Sequence, residues 1–104
     1  MKIYISGAIT NNPNYKQQFQ EAEQHLKQLY PNAIILNPTI LPEGLDYNDY
    51  MHIDMAMIEI ADMIYFIEGW EESKGANIEL CHAIAHNKKI VYLDQLISTN
   101  KRKD

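Results

Sequence analysis

The chain contains a single cysteine, Cys81, among its 104 residues. An intrachain disulfide and any cysteine-based metal cluster are thereby excluded. Basic residues are scarce as well: nine Lys and Arg face fourteen Asp and Glu, a net charge of −5. A duplex binder needs a basic stripe to neutralise phosphates, so no nucleic acid polymer is expected as partner. No apolar run approaches the roughly 18 residues of a membrane span. The N-terminus reads as a strand rather than a signal peptide, so a cytoplasmic protein with no membrane contact is expected. The sequence has no GxGxxG fingerprint, internal repeat or low-complexity tract. A small anionic ligand stays compatible with the acidic balance, because N–H groups at a helix start bind anions without net positive charge.

What is present suits one soluble domain. A hydrophobic content of 46% with 22% charged residues is enough for a core. Residues 1–97 are read as that domain and 98–104 as a polar tail without periodicity. Lys2 to Ser6 is a β-rich run closed by Gly7. Asn12-Pro13 reads as a helix start, and Tyr15, Phe19, Ala22, Leu26 and Leu29 then recur at helical spacing. Ala33 to Leu36 is a second strand, apolar enough to predict burial on both faces. Asp46 or Asn48 is expected to cap a second helix whose Ile53, Met57 and Ile60 share a face. Met63 to Ile67 is a third strand, Ser73 caps a third helix running to about Asn87, and Ile90 to Leu93 is a fourth strand.

The alternation predicts an α/β fold in three layers, Rossmann- or flavodoxin-like. Its parallel sheet has four or five strands, with helices on both faces. Ligands in such sheets bind beyond the carboxyl ends of the strands. Three segments meet there: Ser6-Gly7-Ala8-Ile9-Thr10, the stretch from Asn37 onward, and Glu68 to Gly75.

Glu79 falls in the second turn of the third helix among small and apolar neighbours. Side chains lean toward the helix N-terminus, so its carboxylate can reach back over the strand ends. A solvated position is the alternative. Asp54 is either an exposed helical carboxylate or a second functional one. Tyr4 is expected inside, where its hydroxyl needs a hydrogen-bond partner. Trp70 suits stacking on a base, or packing against a neighbouring subunit. His82 and His86 stand four apart on one helix. No HExxH-type carboxylate accompanies them and no third ligand is evident in the sequence, so no metal is expected.

Three groups of residues together resemble the nucleoside 2-deoxyribosyltransferase superfamily. They are Tyr4-Ile5-Ser6-Gly7; Asp54 with Ala61-Asp62; and Ser73-x-Gly75-x-x-x-Glu79 with Ala83 and Asn87-Lys88-Lys89-Ile90. The resemblance is nearest to the 2'-deoxynucleoside 5'-monophosphate N-glycosidase branch and to small proteins of the same fold. It runs from Lys2 to about Leu93. It implies cleavage of the N-glycosidic bond of a 2'-deoxynucleoside or its monophosphate, by hydrolysis or by transfer to another base. Glu79 matches the family's nucleophile, Asp54 an acid/base or sugar-orienting aspartate, and Tyr4 a tyrosine beside the nucleophile. Ser6, Gly7, Ala8, Ile9, Trp70, Ser73 and Gly75 are the expected substrate-binding residues. Ser73 stands where the transferases carry an aspartate and the monophosphate hydrolases a serine, which favours a monophosphate. Ala8 and Thr10 replace the serine and arginine that the hydrolases place after strand one, and Glu71-Glu72 oppose an anion. No cofactor is implied. A homodimer or higher homo-oligomer is expected, since the resembling proteins complete their sites across a dimer interface. A binding module without catalysis, or a scaffold that has kept only the fold, is the rival reading.

Overall fold

A computed structural model describes residues 1–92. In chain order its elements are β1 (Lys2–Ser6), α1 (Tyr15–Leu29), β2 (Ile34–Leu36), α2 (Tyr47–Ile60), β3 (Met63–Phe66), α3 (Lys74–Ala85) and β4 (Lys89–Tyr92). Short 3-10 turns at Pro38–Ile40 and Trp70–Glu72 precede α2 and α3. All strand pairs are parallel, in the order β2-β1-β3-β4. This is the expected α/β sheet, with four strands among the described residues. The end of the fourth strand at Leu93 and the tail at 98–104 lie outside them.

The two-residue period of the strands divides the core into two layers. Ile3 and Ile5 of β1, with Met63 and Tyr65 of β3, face α1 and meet Phe19, Ala22 and Leu26. Tyr4, Ile64 and Phe66 face the opposite side and pack with Ile58 of α2, Ala61 just after it and Ala83 of α3. Ser6 follows Tyr4 by two residues and so belongs to that second side. One helix therefore covers one face and two cover the other. Every residue from Ile3 to Ser6 and from Met63 to Ile67 is buried.

Three expectations need correction. Among the described residues the strand at Ile34–Leu36 is an edge, hydrogen-bonded only to β1, and Ile34 is 60% exposed. Its apolar run does not mark burial on both faces. The inward stripe of α2 is Asp54 and Ile58, continued by Ala61, while Ile60 is 56% exposed. Of the Ile53-Met57-Ile60 face, Met57 packs on the edge of the second core layer and Ile53 is half-buried, so that face borders the core while Asp54 is turned into it. Lastly, α1 begins at Tyr15 and α3 ends at Ala85, both inside the expected limits. Asn87 adopts a left-handed φ of 57°. The Lys88 N–H then donates to the Ala83 carbonyl and the Asn87 N–H to that of Ile84, the paired bonds that close a helix C-terminus.

Candidate active site

Three residues of α3 are buried, Ala76, Glu79 and Ala83. The two alanines let the helix settle against the sheet, and Glu79 is the long side chain between them. It leans toward the helix start and meets the second side of β1. Tyr4 OH donates to Glu79 Oε1 at 3.1 Å and Ser6 Oγ donates to the same oxygen at 2.7 Å. Both donors are fully buried, and Glu79 is only 5% exposed. The solvated alternative for Glu79 is therefore absent from this fold. Asp54 enters from α2 at 6% exposure. Its Oδ1 is buried with no hydrogen-bond partner among the described residues. Buried carboxylate oxygens are rarely left so, because an unmade hydrogen bond costs about 1–3 kcal/mol or more.

The electrostatics follow from two acids sharing one dry site. Burial pushes the Glu79 carboxyl up to about 8, and the Asp54 charge adds to the rise. The hydrogen bonds from Ser6 and Tyr4 pull it partly back. Burial also raises Asp54, to about 6, against the polar atoms of Glu79 and Tyr4. Like charges this close resist joint ionisation, so near neutral pH the pair holds about one proton in common. Burial, then the two carboxylates, hold the Tyr4 phenol well above its ordinary range. Tyr4 is thus a donor to Glu79 at every working pH.

A cleft of about 590 Å³ opens over the two carboxylates, within the size range of small-molecule sites. Gly7 and Ile9 after β1, and Ser73 and Gly75 at the start of α3, line it together with Asp54 and Glu79. Ser73 Oγ accepts from the Ala76 N–H at 3.1 Å, capping α3 as expected. Its hydroxyl proton remains to be donated. A Cβ on Gly75 would approach the Tyr47 hydroxyl at 3.5 Å and Met51 sulfur at 3.7 Å, ordinary contacts that would still narrow the cleft.

Other expected residues lie elsewhere. Tyr4 and Ser6 stand behind Glu79 and do not line the cleft, so Ser6 acts on the carboxylate rather than on a ligand. Ala8 is also outside the lining, and its carbonyl accepts from Asn12 Nδ2 at 2.9 Å. Trp70 is outside too: its ring stacks on Tyr92 at 5.3 Å and leans on Phe66 at 5.1 Å. The aromatic cluster fastens the second 3-10 turn to β3 and β4. In exchange, the cleft gains a wall that the sequence reading did not single out, Tyr47, Tyr50 and Met51 of α2. The signal was there: with Asp54 they fall at positions 0, 3, 4 and 7 of a helical stripe.

The solved structure of a 2-desoxiribosyltransferase from Leishmania mexicana matches with a TM-score of 0.68 at 22% identity. The match covers 88% of this chain and 62% of that one. It shows the fold, that of a deoxyribosyltransferase-like Rossmann sheet, over somewhat less than two thirds of the other protein's length. No curated protein matches the chain. The family described as a domain of unknown function (DUF4406) matches residues 1–92. That span runs from β1 through β4 and takes in Tyr4, Asp54 and Glu79, and the chain belongs to this family.

Proposed function

We propose that the protein cleaves the N-glycosidic bond of a 2'-deoxynucleoside, or of its 5'-monophosphate, through a glycosyl ester on Glu79. The observation that carries the reading is the buried Glu79–Asp54 pair at the floor of the cleft, with Tyr4 and Ser6 both bonded to one Glu79 oxygen. Chemistry at C1' needs one carboxylate ionised and a second group to manage protons. A pair holding one shared proton supplies both, once that proton rests on Asp54. Ionised Glu79 attacks C1' with its free oxygen while the C–N bond breaks, and Asp54 passes its proton to the departing base. In the second half, Asp54 takes a proton from water, whose oxygen attacks C1' and frees Glu79. A second base in place of water gives transfer instead.

Charge at the cleft favours the uncharged nucleoside over the monophosphate. Glu72 lines it along with Asp54 and Glu79, against Lys74, while Glu43 at its rim is paired to Lys16 at 2.8 Å. The unpartnered Asp54 Oδ1 suits a sugar hydroxyl. We expect base release, followed by chromatography over a panel of deoxynucleosides and monophosphates with and without an acceptor base. Glu79→Gln is expected to cut the rate roughly a thousandfold or more, and Asp54→Asn by about 10²–10⁴. Wild-type protein that releases no base from any member of the panel would sink the reading.

A second reading rests on the raised Glu79 carboxyl. If the proton stays on Glu79, the group is a hydrogen-bond donor and no nucleophile. The protein is then a nucleoside-binding module. Calorimetric binding of a nucleoside that is recovered intact would favour it.

In either case we infer a homo-oligomer. Ile40 and Ile84 are 81% and 59% exposed, and covering either with a second copy would take apolar area out of water. A purely monomeric mass by sedimentation would count against this.

A further inference from the structure

The cleft accounts for the buried carboxylates but not for the two histidines of α3 and its cap. His82 and His86 are one turn apart, with ring centroids separated by 4.2 Å. Across the α2–α3 contact, Glu59 in the last turn of α2 places its Oε2 2.9 Å from His82 Nε2. One ligand atom from each of the three side chains lies within 4.8 Å of the others. None of the three lines the cleft. Glu59 follows Asp54 by five residues, about 7.5 Å farther along α2 at the usual helical rise.

We propose that Glu59, His82 and His86 form a binding site for a divalent transition-metal ion, with zinc the best match. Two imidazoles and one carboxylate are a donor set that zinc takes readily, leaving its fourth position to water. The third ligand is invisible in the sequence because it comes from another helix. His86 Nδ1 lies 2.9 Å from the His82 carbonyl. A carbonyl only accepts, so Nδ1 carries the proton and Nε2 keeps the lone pair that a metal needs. An outer hydrogen bond of this kind is what orients metal-bound histidines. Ligand atoms around tetrahedral zinc stand about 3.4 Å apart, from bond lengths near 2.1 Å. Closing from 4.8 Å asks only for side-chain rotation, since Glu59 and His86 are exposed and His82 is half-buried.

Lys88 faces the site as well, its Nζ donating to the Glu59 main-chain carbonyl at 2.7 Å. It pins the end of α2 beside α3, while its charge opposes a cation. The 2.9 Å His82–Glu59 contact has to open for the ion to enter between the two side chains. The consequence for the fold is a clasp. Glu59 shares α2 with Asp54, and His82 shares α3 with Glu79, so the ion ties together the two helices that carry the carboxylate pair.

The test uses the full, untagged chain stripped with a chelator and titrated calorimetrically with zinc chloride alone. One ion per chain is expected at micromolar affinity or tighter, with a rise in the thermal midpoint. Cobalt in its place is expected to give the intense visible bands of a four-coordinate site. His86→Gln and Glu59→Gln are each expected to weaken binding by about 10–100-fold, whereas Lys88→Met strengthens it. Both weakened variants alter exposed side chains, and an unchanged far-ultraviolet spectrum shows that they fold. No binding by wild type would overturn the proposal. So would binding that survives His86→Gln and Glu59→Gln but is lost in Glu79→Gln, which would put the ion in the cleft.

Discussion

Glu79 Oε1 accepts from two buried hydroxyls, and the shorter bond comes from Ser6. A hydroxyl that donates to a carboxylate favours the ionised form, so Ser6 opposes the burial that raises the Glu79 carboxyl. Removing it leaves that burial less opposed. In Ser6→Ala the Glu79 carboxyl is expected to titrate at higher pH than in wild type, read directly by carbon NMR of the labelled side chain. If the protein is a glycosidase, base release by this variant falls about tenfold, and raising the pH does not restore it, because the two arrangements of the shared proton titrate together. A Ser6 that served only to fill space would leave both the titration and the rate where they were. The sequence resemblance put Ser6 with the substrate, because position along a strand says where a side chain starts and not what it meets. The partner lies 73 residues away.

Elements decide which residues can meet at all, and here the glycine after β1 is the sharpest case. A Cβ at Gly7 would clash with Ile67 Cγ1 and lie 3.3 Å from Phe19 Cζ. The residue is small because the chain leaving β1 runs hard against the α1 side of the core. Gly7→Ala is expected to cost about 1–3 kcal/mol, as overpacking does, measured as a lower denaturant midpoint with unchanged slope. A variant as stable as wild type would mean that Ile67 moves aside freely. The element order, the parallel sheet and the Ser73 cap were legible, since each rests on local periodicity or cap chemistry. The facing of α2 was not. Apolar Ile53, Met57 and Ile60 and mixed Tyr47, Met51, Asp54 and Ile58 are both helical stripes, and the two buried residues of the helix, Asp54 and Ile58, belong to the one containing a carboxylate. Hydrophobicity alone selects the wrong stripe wherever a carboxylate is held inside the fold. The same holds for Trp70, whose aromatic neighbours Phe66 and Tyr92 lie on strands that pair only in the folded sheet.

For the whole molecule, the buried pair makes stability depend on pH in an unusual direction. Exposed or half-exposed acids such as Asp62 and Glu23 are lowered in the fold. For Asp62 the first cause is the Lys2 N–H, and for Glu23 it is Lys27. Their contribution is present above the ordinary carboxylate range and disappears only in acid. Glu79 and Asp54 are raised, to about 8 and about 6. Between the ordinary carboxylate range and those values the folded chain binds more protons than the unfolded one. The slope of stability with pH is then negative, and the contribution of the pair is lost as pH climbs through about 6 to 8. Wild-type protein is therefore expected to melt at a lower temperature at pH 8.5 than at pH 6, a range kept above the isoelectric point near 5.2. Glu79→Gln removes the group that must be charged in a dry site while keeping an acceptor for Tyr4 and Ser6. Its melting temperature is expected to vary less over that range and to exceed that of wild type at pH 8.5, by about 4–8 °C for each kcal/mol relieved. Parallel curves for the two proteins would mean that Glu79 ionises without cost, and the shared-proton account of the cleft would fall with that result. Crossing curves would show that the fold gives up stability at high pH to hold the Glu79 carboxylate in a dry site, where a smaller cost would come from a neutral group.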